Sequence, residues 1–202
     1  MRLDFFGGTF NPAHLGHLAL AQQALCALKL DKLWWLPANP WQKDPQELLA
    51  ESLRIKSIEQ TIVNEPRMAI DTRELSRSGL SYSIDTVKEL ARQYPNDERF
   101  YLIGADQWEN FHTWKDWQSI FNFVHLVVFS RNGQRLVANE EVQAYVAQSG
   151  IDIVNLDMPA LDITSSRVRE ILRQRPIDAA KLSSMLAPKV IDLLLAEPNS
   201  KD

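Results

Sequence analysis

Short apolar runs alternate along this chain with segments whose apolar residues recur at helical spacing, and this alternation limits the fold more than any other feature. We predict these runs as strands: Leu3–Phe6, Lys32–Leu36, Met68–Ile70, Phe100–Ile103, His125–Phe129 and Ile151–Val154. The alternating pattern of the last run is typical of an edge strand. Strands separated by helical segments form βαβ units, whose crossovers are right-handed and whose strands are parallel. The sequence therefore predicts an α/β fold with a parallel sheet and ligands at the carboxyl ends of its strands.

The length of 202 residues suits one well-buried domain, and the chain shows neither an internal repeat nor a linker rich in Gly or Ser. We therefore expect a single domain over residues 1–202. Its last part, from about residue 160 to 202, has helical patterns. This part is expected to form a small C-terminal helical subdomain that packs on the sheet.

Charge and cysteine content exclude several classes of protein. The net charge of −4 disfavours non-specific binding of nucleic acid, so an anionic ligand must be met by locally placed groups. The sequence shows no secretion leader and no apolar run long enough to cross a membrane. With Cys26 as its one cysteine, the chain cannot form an intrachain disulfide. We expect a cytoplasmic protein, and the oligomeric state stays open.

The segment GGTFNPAHLGH, residues 7–17, follows the first strand and leads into a helical pattern. Gly7 and Gly8 allow a ligand to approach the backbone closely, because no Cβ is in the way. His14 and His17 are three residues apart at the helix start, so both rings can project from the same face. Free N–H groups of a first helical turn attract anions, which predicts a polyphosphate site. The alternative is a capped surface helix with two solvated histidines. A zinc site is not indicated, because the sequence offers no Cys or further His cluster to complete its ligands.

This segment, including Thr9, Asn11 and Pro12, resembles the (T/H)xGH signature of the nucleotidyltransferase superfamily, whose relatives include the class I aminoacyl-tRNA synthetases. The resemblance implies a Rossmann-like, doubly wound parallel sheet. It also implies that the ATP-binding residues of this segment are Gly7, Gly8, Thr9, Phe10, His14 and His17. Of the two histidines, His17 would lie nearest the α-phosphate in the transition state.

A second candidate phosphate site is the run ITSSRVR, residues 163–169, directly before another apolar-periodic segment. Consecutive hydroxyl residues at a helix start offer donors from side chain and backbone, and the fork of Arg169 suits phosphate oxygens. The run resembles the ISSTxxR motif of the same family. The resemblance implies that Ile163, Ser165, Ser166 and Arg169 bind ATP, with Arg169 also catalytic. The alternative is a plain helix N-cap.

A third motif follows the fourth predicted strand. A carboxylate at Asp106, after Gly104, can accept hydrogen bonds from ribose hydroxyl groups. Phe111, Trp114 and Trp117 then recur at three-residue spacing, which is more often a core stripe than a binding site. The pattern GADxxxxFxxW nevertheless resembles that of nicotinate mononucleotide adenylyltransferases, which implies that Trp114 stacks on a pyridine ring. We expect Phe111 and Trp117 in the core.

The run SYSIDT, residues 81–86, resembles the SYTIDT segment of that family. The resemblance implies that Tyr82 and Thr86 line the mononucleotide pocket, with Thr86 near the carboxylate of the pyridine ring. That carboxylate needs hydrogen-bond donors, and the backbone N–H groups of Trp114 and Lys115 could supply them.

One segment departs from the family pattern. The family has a Pro-Pro-His-Lys/Arg run after the second strand, whereas this chain has Gln42 in place of the histidine. Glutamine can donate a hydrogen bond but cannot carry a charge. We still expect Asn39 and Lys43 to contact the mononucleotide. Arg131, just past the fifth strand, resembles the family's basic residue on the same side, although a solvated arginine is the alternative.

The resemblance covers residues 1 to about 190 and implies a nucleotidyltransferase that joins ATP and nicotinate mononucleotide into nicotinate adenine dinucleotide and pyrophosphate. His14, His17 and Arg169 would be the catalytic residues. Mg²⁺ is expected on the triphosphate, mostly through water, because no carboxylate cage is visible in the sequence. Two alternatives stay open: another acceptor, such as nicotinamide mononucleotide or phosphopantetheine, or an inactive nucleotide sensor.

Overall fold

The computed structural model describes residues 1–38, 44, 47–131, 133, 135–158 and 162–196, without the side chain of Arg131. Its strands are β1 (Arg2–Gly8), β2 (Lys32–Pro37), β3 (Met68–Ile70), β4 (Glu98–Gly104), β5 (His125–Arg131) and β6 (Val154–Met158). In the described residues all six belong to one sheet in the order β3–β2–β1–β4–β5–β6, and every neighbouring pair is parallel. This is the Rossmann strand order, and it confirms the predicted fold class.

The helices are α1 (Leu15–Ala27), α2 (Glu51–Ile62), α3 (Ser83–Gln93), α4 (Ala105–Glu109), α5 (Trp117–Ile120), α6 (Glu140–Ser149), α7 (Ser165–Arg173), α8 (Ala179–Ser183) and α9 (Pro188–Ala196). A 3-10 turn covers Phe111–Thr113. Among the described residues, no helix has both the length and the apolar content needed to cross a lipid bilayer.

The central strand β1 is buried on both faces, and its alternating side chains divide the core into two layers. Phe6 belongs to the apolar cluster beneath α1 and α2, whereas Leu3 and Phe5 belong to the cluster beneath α3 and α6. Because helices cover both faces, a strand in this position must be apolar nearly throughout. Phe111 and Trp117 are buried in the α3 layer, as expected.

The first five predicted strands are confirmed, but the predicted position of the sixth is wrong. The structure begins β6 at Val154 rather than Ile151 and continues it to Met158. Val154, Leu156 and Met158 alternate with exposed polar residues, so the period-two pattern continues past the predicted end. Helix α6 was not among the predicted elements, although Asn139 caps it by accepting a hydrogen bond from the Glu141 N–H at 2.9 Å.

Helices α7, α8 and α9 share a third apolar cluster that includes Val168, Leu182 and Val190. This C-terminal part is joined to the rest of the protein near the first helix, where the Leu15 N–H donates to the Met185 carbonyl at 2.8 Å. The Arg169 side chain makes a second link, at 2.8 Å, to the Asn11 carbonyl. The helical character expected for this part is therefore confirmed, whereas its status as a subdomain stays a prediction.

Asp4 is a charged residue type in the middle of the buried strand β1. Its side chain is 0% exposed, and its partners across the sheet are Leu33 and Phe100, both in the apolar layer under α1. One carboxyl oxygen accepts a hydrogen bond from the Phe5 N–H at 2.7 Å, and the other has no partner among the described residues. Burial away from water raises the pKa of Asp4 from 3.8 to about 7.

We predict that Asp4→Asn changes how stability depends on pH. The folded protein keeps the Asp4 proton up to about pH 7, whereas the unfolded chain releases it near 3.8. The contribution of the protonated group is therefore complete below the unfolded pKa and is lost as the pH rises through the folded pKa. At about 1.4 kcal/mol per pKa unit, the free energy of unfolding should fall by up to about 4 kcal/mol across this window.

Urea unfolding of both proteins at several pH values measures this difference. Asp4→Asn should lack this fall in the free energy of unfolding and should be more stable than the wild type at pH 8. Asp152→Asn, at an exposed position, is the matched control and should follow the wild type. If the free energy of unfolding changes with pH in the same way in Asp4→Asn and the wild type, the raised pKa of Asp4 is refuted.

Candidate active site

A cavity of about 910 Å³ opens at the carboxyl ends of β1 and β4. The chain leaves β1 in one direction along the sheet and later returns to β4 on its other side, so this is the point where the strand order reverses. Such switch points are where open α/β sheets bind ligands. The lining combines residues from the α1 and α7 side with residues from the α3 side, so the cavity spans both layers of the fold.

His14 and His17 form a reciprocal capping box at the start of α1. His14 Nδ1 accepts a hydrogen bond from the His17 backbone N–H at 3.2 Å, and His17 Nδ1 accepts one from the His14 N–H at 3.3 Å. The two rings are stacked, with their centroids 3.6 Å apart. The predicted placement of both rings on one face is confirmed, and the same side chains also stabilise the helix that carries them.

The capping box decides which ring nitrogen can act on a ligand. Because each Nδ1 accepts a hydrogen bond, the proton of each neutral ring is on Nε2, which makes Nε2 the donor. His17 lines the large cavity, and both histidines line an adjoining cavity of about 240 Å³. The rings therefore add two side-chain donors to the positive end of α1, where anions are stabilised.

Gly7 and Gly8 are the last two residues of β1, and neither has a positive φ. These glycines matter because neighbouring groups can come close to their backbone. A Cβ on Gly7 would lie 2.9 Å from the Tyr101 hydroxyl, and one on Gly8 would lie 3.0 Å from the Phe10 ring. The left-handed backbone that turns the chain toward α1 is at Phe10, with φ +47°. The bare backbone of the glycine pair thus forms part of the cavity wall.

The start of α7 combines a helix cap with a contact to the segment before α1. Thr164 is the N-cap, and its hydroxyl accepts a hydrogen bond from the Arg167 N–H at 3.1 Å. Ser165 donates its hydroxyl proton to the Pro12 carbonyl at 3.0 Å. Ser165 and Ser166 line the large cavity, so the cap and the binding site coexist here.

Arg169 connects α7 to the same segment and lines the cavity together with His17. One terminal nitrogen donates to the Asn11 carbonyl at 2.8 Å, and the other donates to the Ser166 hydroxyl at 3.3 Å. Nε is buried and has no partner among the described residues. Burial, reinforced by the nearby Arg173, lowers the pKa of Arg169. A partly desolvated guanidinium in the cavity wall is suited to an anionic ligand.

Arg54 is a site residue that the sequence analysis missed. Its side chain, only 3% exposed, donates to the Thr9 carbonyl at 2.8 Å and to the Ala38 carbonyl at 2.9 Å. Thr9 and Ala38 both line the cavity, after β1 and β2 respectively. A signal existed, because Arg54 falls on the same helical stripe as the buried Ile58 and Ile62.

At the end of β4, Gly104 makes room for the carboxylate of Asp106. A Cβ on Gly104 would lie 2.5 Å from Asp106 Oδ1 and 3.2 Å from the Phe129 ring. Asp106 lines both cavities, so it lies where they meet. The smaller cavity is completed by apolar residues, among them Ile163.

On the α3 side, Trp114 packs on the buried Phe111 with ring centroids 5.1 Å apart and lines the cavity with its remaining surface. Tyr82 and Lys115 line it as well, and the Lys115 amine lies 4.3 Å from the centre of the Tyr82 ring. This cation–π contact joins the start of α3 to the segment after the 3-10 turn. The aromatic and basic character expected for this wall is present.

Two details of the predicted pyridine site need correction. Thr86 is 0% exposed and does not line the cavity, because its hydroxyl group is hydrogen-bonded behind the wall to Glu74 and Arg77. The Trp114 N–H donates to the Phe111 carbonyl at 3.0 Å, so it is not available to a ligand carboxylate. Of the predicted pair of backbone donors, the Lys115 N–H is the remaining candidate.

Asn39, Gln42 and Lys43 lie outside the described residues, as does the side chain of Arg131. The structure instead adds cavity residues that the sequence analysis did not select: Glu74, Ser83, Gln107, Asn110 and Thr113. Glu74 lies in an irregular segment between β3 and α3, where no periodic pattern could have identified it.

Comparison with known proteins gives consistent matches. The cytidylyltransferase-like family profile matches residues 5–171. A probable nicotinate-nucleotide adenylyltransferase of Bordetella petrii is 38% identical over 188 residues, which cover 92% of this chain and 94% of the relative. The protein of the same description in Bordetella avium is 37% identical over 175 residues, 86% of each chain.

Solved structures with a similar fold include Plasmodium falciparum nicotinic acid mononucleotide adenylyltransferase. Its complexes with APC and with NaAD give TM-scores of 0.74 and 0.75 to this chain. The alignments cover 96% of this chain and 94% of the other at 17% identity. At that identity the likeness supports the fold and says nothing about individual site residues.

We predict that Gly104→Ala weakens the binding of a non-hydrolysable ATP analogue. The added methyl group would lie 2.5 Å from Asp106 Oδ1, so the carboxylate must move out of the site. Losing one hydrogen bond to a charged group costs about 1.5–3 kcal/mol, which corresponds to a rise in Kd of roughly tenfold or more. Calorimetric titration measures the change.

Gly150→Ala is the control for this experiment. Gly150 has φ +62° and open space around its Cβ position, so the substitution strains the backbone without reaching the cavity. It should lower stability and leave the Kd of the analogue unchanged. If Gly104→Ala binds the analogue as tightly as the wild type, Asp106 has no part in ATP binding.

Proposed function

The chain belongs to the cytidylyltransferase-like family and, within it, to the nicotinate-nucleotide adenylyltransferases, and we propose that it transfers the adenylyl group of ATP to nicotinate mononucleotide. The observation that carries the proposal is the shared lining of one cavity. His17 and Arg169, which suit phosphates, and Trp114, which suits an aromatic ring, all face the same 910 Å³ space. A volume of this size is at the upper end for small-molecule sites and can hold two nucleotides together.

The reaction needs alignment more than it needs a reactive side chain. An ionised phosphate oxygen of nicotinate mononucleotide attacks the α-phosphorus of ATP. The new P–O bond forms as the bond from the α-phosphorus to the bridging oxygen breaks, and pyrophosphate leaves with that electron pair. The products are nicotinate adenine dinucleotide and pyrophosphate. Because the nucleophile is already an anion, neither a covalent intermediate nor a general base is required.

The α1 and α7 side of the cavity would bind the triphosphate. We assign Nε2 of His17 to the α-phosphate, where negative charge is redistributed in the transition state, and His14 to the neighbouring oxygens. The first turn of α7 and the guanidinium of Arg169 would stabilise the leaving pyrophosphate. In this assignment Ser165 contributes its backbone N–H, because its hydroxyl group donates to Pro12.

The smaller cavity next to the histidines would accept the adenosine. Asp106, at the junction of the two cavities, can accept hydrogen bonds from the ribose hydroxyl groups. Gly16 lies in the wall, and a Cβ there would come within 3.4 Å of the Ile163 Cβ, so the glycine keeps this narrow space open. In this proposed arrangement the α-phosphorus of ATP would lie between the histidines and the larger cavity.

The α3 side would bind the mononucleotide. Trp114 offers an aromatic face for the electron-poor pyridine ring, and Lys115 offers a cation for its carboxylate. Asn39, Lys43 and Arg131 stay predicted contacts. A preference for the acid over the amide mononucleotide would depend on the cations Lys43, Lys115 and Arg131. Gln42 is expected to weaken, not abolish, the contact made elsewhere in the family by histidine.

A divalent ion, Mg²⁺, is proposed to enter with ATP. The described residues contain no cluster of three or more His, Cys, Asp or Glu side chains that could hold a metal. The phosphate side of the cavity offers imidazole, hydroxyl and guanidinium donors, which suit phosphate oxygens and not a hard cation. The ion would be coordinated by the triphosphate and water, and it would neutralise phosphate charge. A cytoplasmic location also stays a prediction.

Incubating the protein with ATP, Mg²⁺ and one acceptor at a time tests this function. The acceptors are nicotinate mononucleotide, nicotinamide mononucleotide and phosphopantetheine, and the products are separated by chromatography. We expect nicotinate adenine dinucleotide and pyrophosphate in equal amounts. Turnover of another acceptor alone would replace the substrate, and no turnover with any of them would favour a nucleotide sensor.

We predict that His17→Ala lowers kcat by about two orders of magnitude or more, because it removes one pre-organised donor to the transition state. The variant also loses half of the capping box, which should cost about 0.5–2 kcal/mol of stability, so thermal unfolding must be measured beside the kinetics. His125→Ala, at a 60% exposed side chain, serves as the control, because His125 begins β5 and so lies at the opposite end of the sheet from the site. Near wild-type turnover in folded His17→Ala would remove the catalytic assignment.

We predict that Trp114→Ala raises KM for the mononucleotide far more than KM for ATP, because the indole face is lost only from the pyridine site. Steady-state kinetics with each substrate varied in turn gives the two constants. Trp117→Ala is the comparison, since Trp117 is 4% exposed and belongs to the core. Trp117→Ala should lower the stability of the protein without a selective change in either KM. If Trp114→Ala raises both KM values equally, Trp114 is a core residue too.

A further inference from the structure

Arg77 lies in the irregular segment between β3 and α3 and joins this segment to the helix. One terminal nitrogen donates to the Ser81 hydroxyl at 2.6 Å and to the Thr86 hydroxyl at 2.8 Å. The other donates to a carboxyl oxygen of Glu89 at 2.7 Å. The side chain is 18% exposed, so these contacts are largely protected from water. A single planar fork thus holds three hydroxyl or carboxylate groups at fixed relative positions.

The contacts of Arg77 continue to the cavity by two routes. Ser81 itself lines the cavity, next to Tyr82. Thr86 donates its hydroxyl proton to Glu74 at 2.7 Å, and Glu74, only 7% exposed, also lines the cavity. Residues from both ends of the irregular segment therefore reach the wall through hydrogen bonds that converge on one guanidinium.

This segment needs such a support because it is neither helix nor strand between Asp71 and Tyr82. Its turn at Gly79 has φ +87° and open space around it, so packing does not hold the turn in place. The surface pair with Glu89 would contribute little by itself, since that carboxylate is 42% exposed. The partly buried hydrogen bonds from Arg77 to Ser81 and Thr86 hold the segment in place.

We propose that Arg77 is a positioning residue for the pyridine mononucleotide: it holds Ser81, Tyr82 and Glu74 in the wall that this ligand contacts. The ligand named here rests on the proposed function. Arg77 does not line the cavity itself, so it acts through these neighbours. The phosphate side of the cavity belongs to other segments, at α1 and α7, and should not respond to changes at Arg77.

Arg73 provides a matched control four residues earlier. It is buried to the same degree, at 16% exposed, and it also approaches Glu89, at 3.7 Å. Its hydrogen bonds go to Asp71 and Gln93, however, and neither of these lines the cavity. Replacing Arg73 therefore removes a similar cation from the same surface without releasing the wall.

Calorimetric titration of wild type, Arg77→Ala and Arg73→Ala with nicotinate mononucleotide and with a non-hydrolysable ATP analogue tests the proposal. Arg77→Ala should raise the Kd of the mononucleotide about tenfold or more, as expected for a wall that must be ordered again on binding. The Kd of the ATP analogue should stay within about twofold of the wild type by the same scale. Arg73→Ala should leave both constants unchanged.

Arg77→Lys covers the case in which Arg77→Ala unfolds. Lysine keeps the charge but has one nitrogen in place of the planar fork, and Arg77 uses two nitrogens to reach Ser81, Thr86 and Glu89. A Kd for the mononucleotide at least about threefold above wild type is therefore expected. Wild-type affinity in either folded Arg77 variant refutes the role of Arg77, as does an equal loss for both ligands or the same loss in Arg73→Ala. A wild-type protein that binds the ATP analogue but not nicotinate mononucleotide refutes the proposed function, and with it the ligand assigned to this wall.

Discussion

The site depends on side-chain donors that satisfy the backbone carbonyl groups of the segment between β1 and α1. This segment lies outside the strands and helices, so it lacks their regular backbone hydrogen bonds. Leaving buried carbonyl groups without hydrogen bonds is costly. Arg54, Ser165 and Arg169 donate to three of the carbonyl groups of residues 9–12, from α2 on one side and α7 on the other. Distant parts of the chain thus fix the path that brings the two histidines to the end of the sheet.

The proposed catalytic groups are few, and they are neutral or cationic. The protein carries a net charge of −4, yet the described wall proposed to bind the phosphates is formed by helix starts, imidazoles and a guanidinium. Local placement of donors outweighs the overall charge because it acts at hydrogen-bond distance in a partly water-excluded space. The capping box adds to this by directing Nε2 of each histidine away from the helix backbone.

The same physical solution appears on the α3 side, where another irregular segment follows a strand. There, Arg77 and Thr86 hold the wall from behind, as Arg54 does near the glycine pair. In both places an arginine that is poorly exposed replaces the missing regular hydrogen bonds of a loop. These contacts hold the cavity walls in fixed positions at the switch point. Fixed walls favour a reaction that proceeds by alignment of two anionic ligands.

The sequence by itself determined the α/β class, five of the strands and the segments around His14, Ser165 and Trp114, because periodicity and short motifs are local properties of a chain. Only the tertiary structure decided that these segments share one cavity, that Thr86 lies behind its wall, and that β6 begins at Val154. The physical reason is that burial and hydrogen bonding between residues far apart in the chain depend on how the layers pack. The helical stripe marks Arg54 as a buried position and no pattern marks Arg77, but only the fold reveals both as supports of the site.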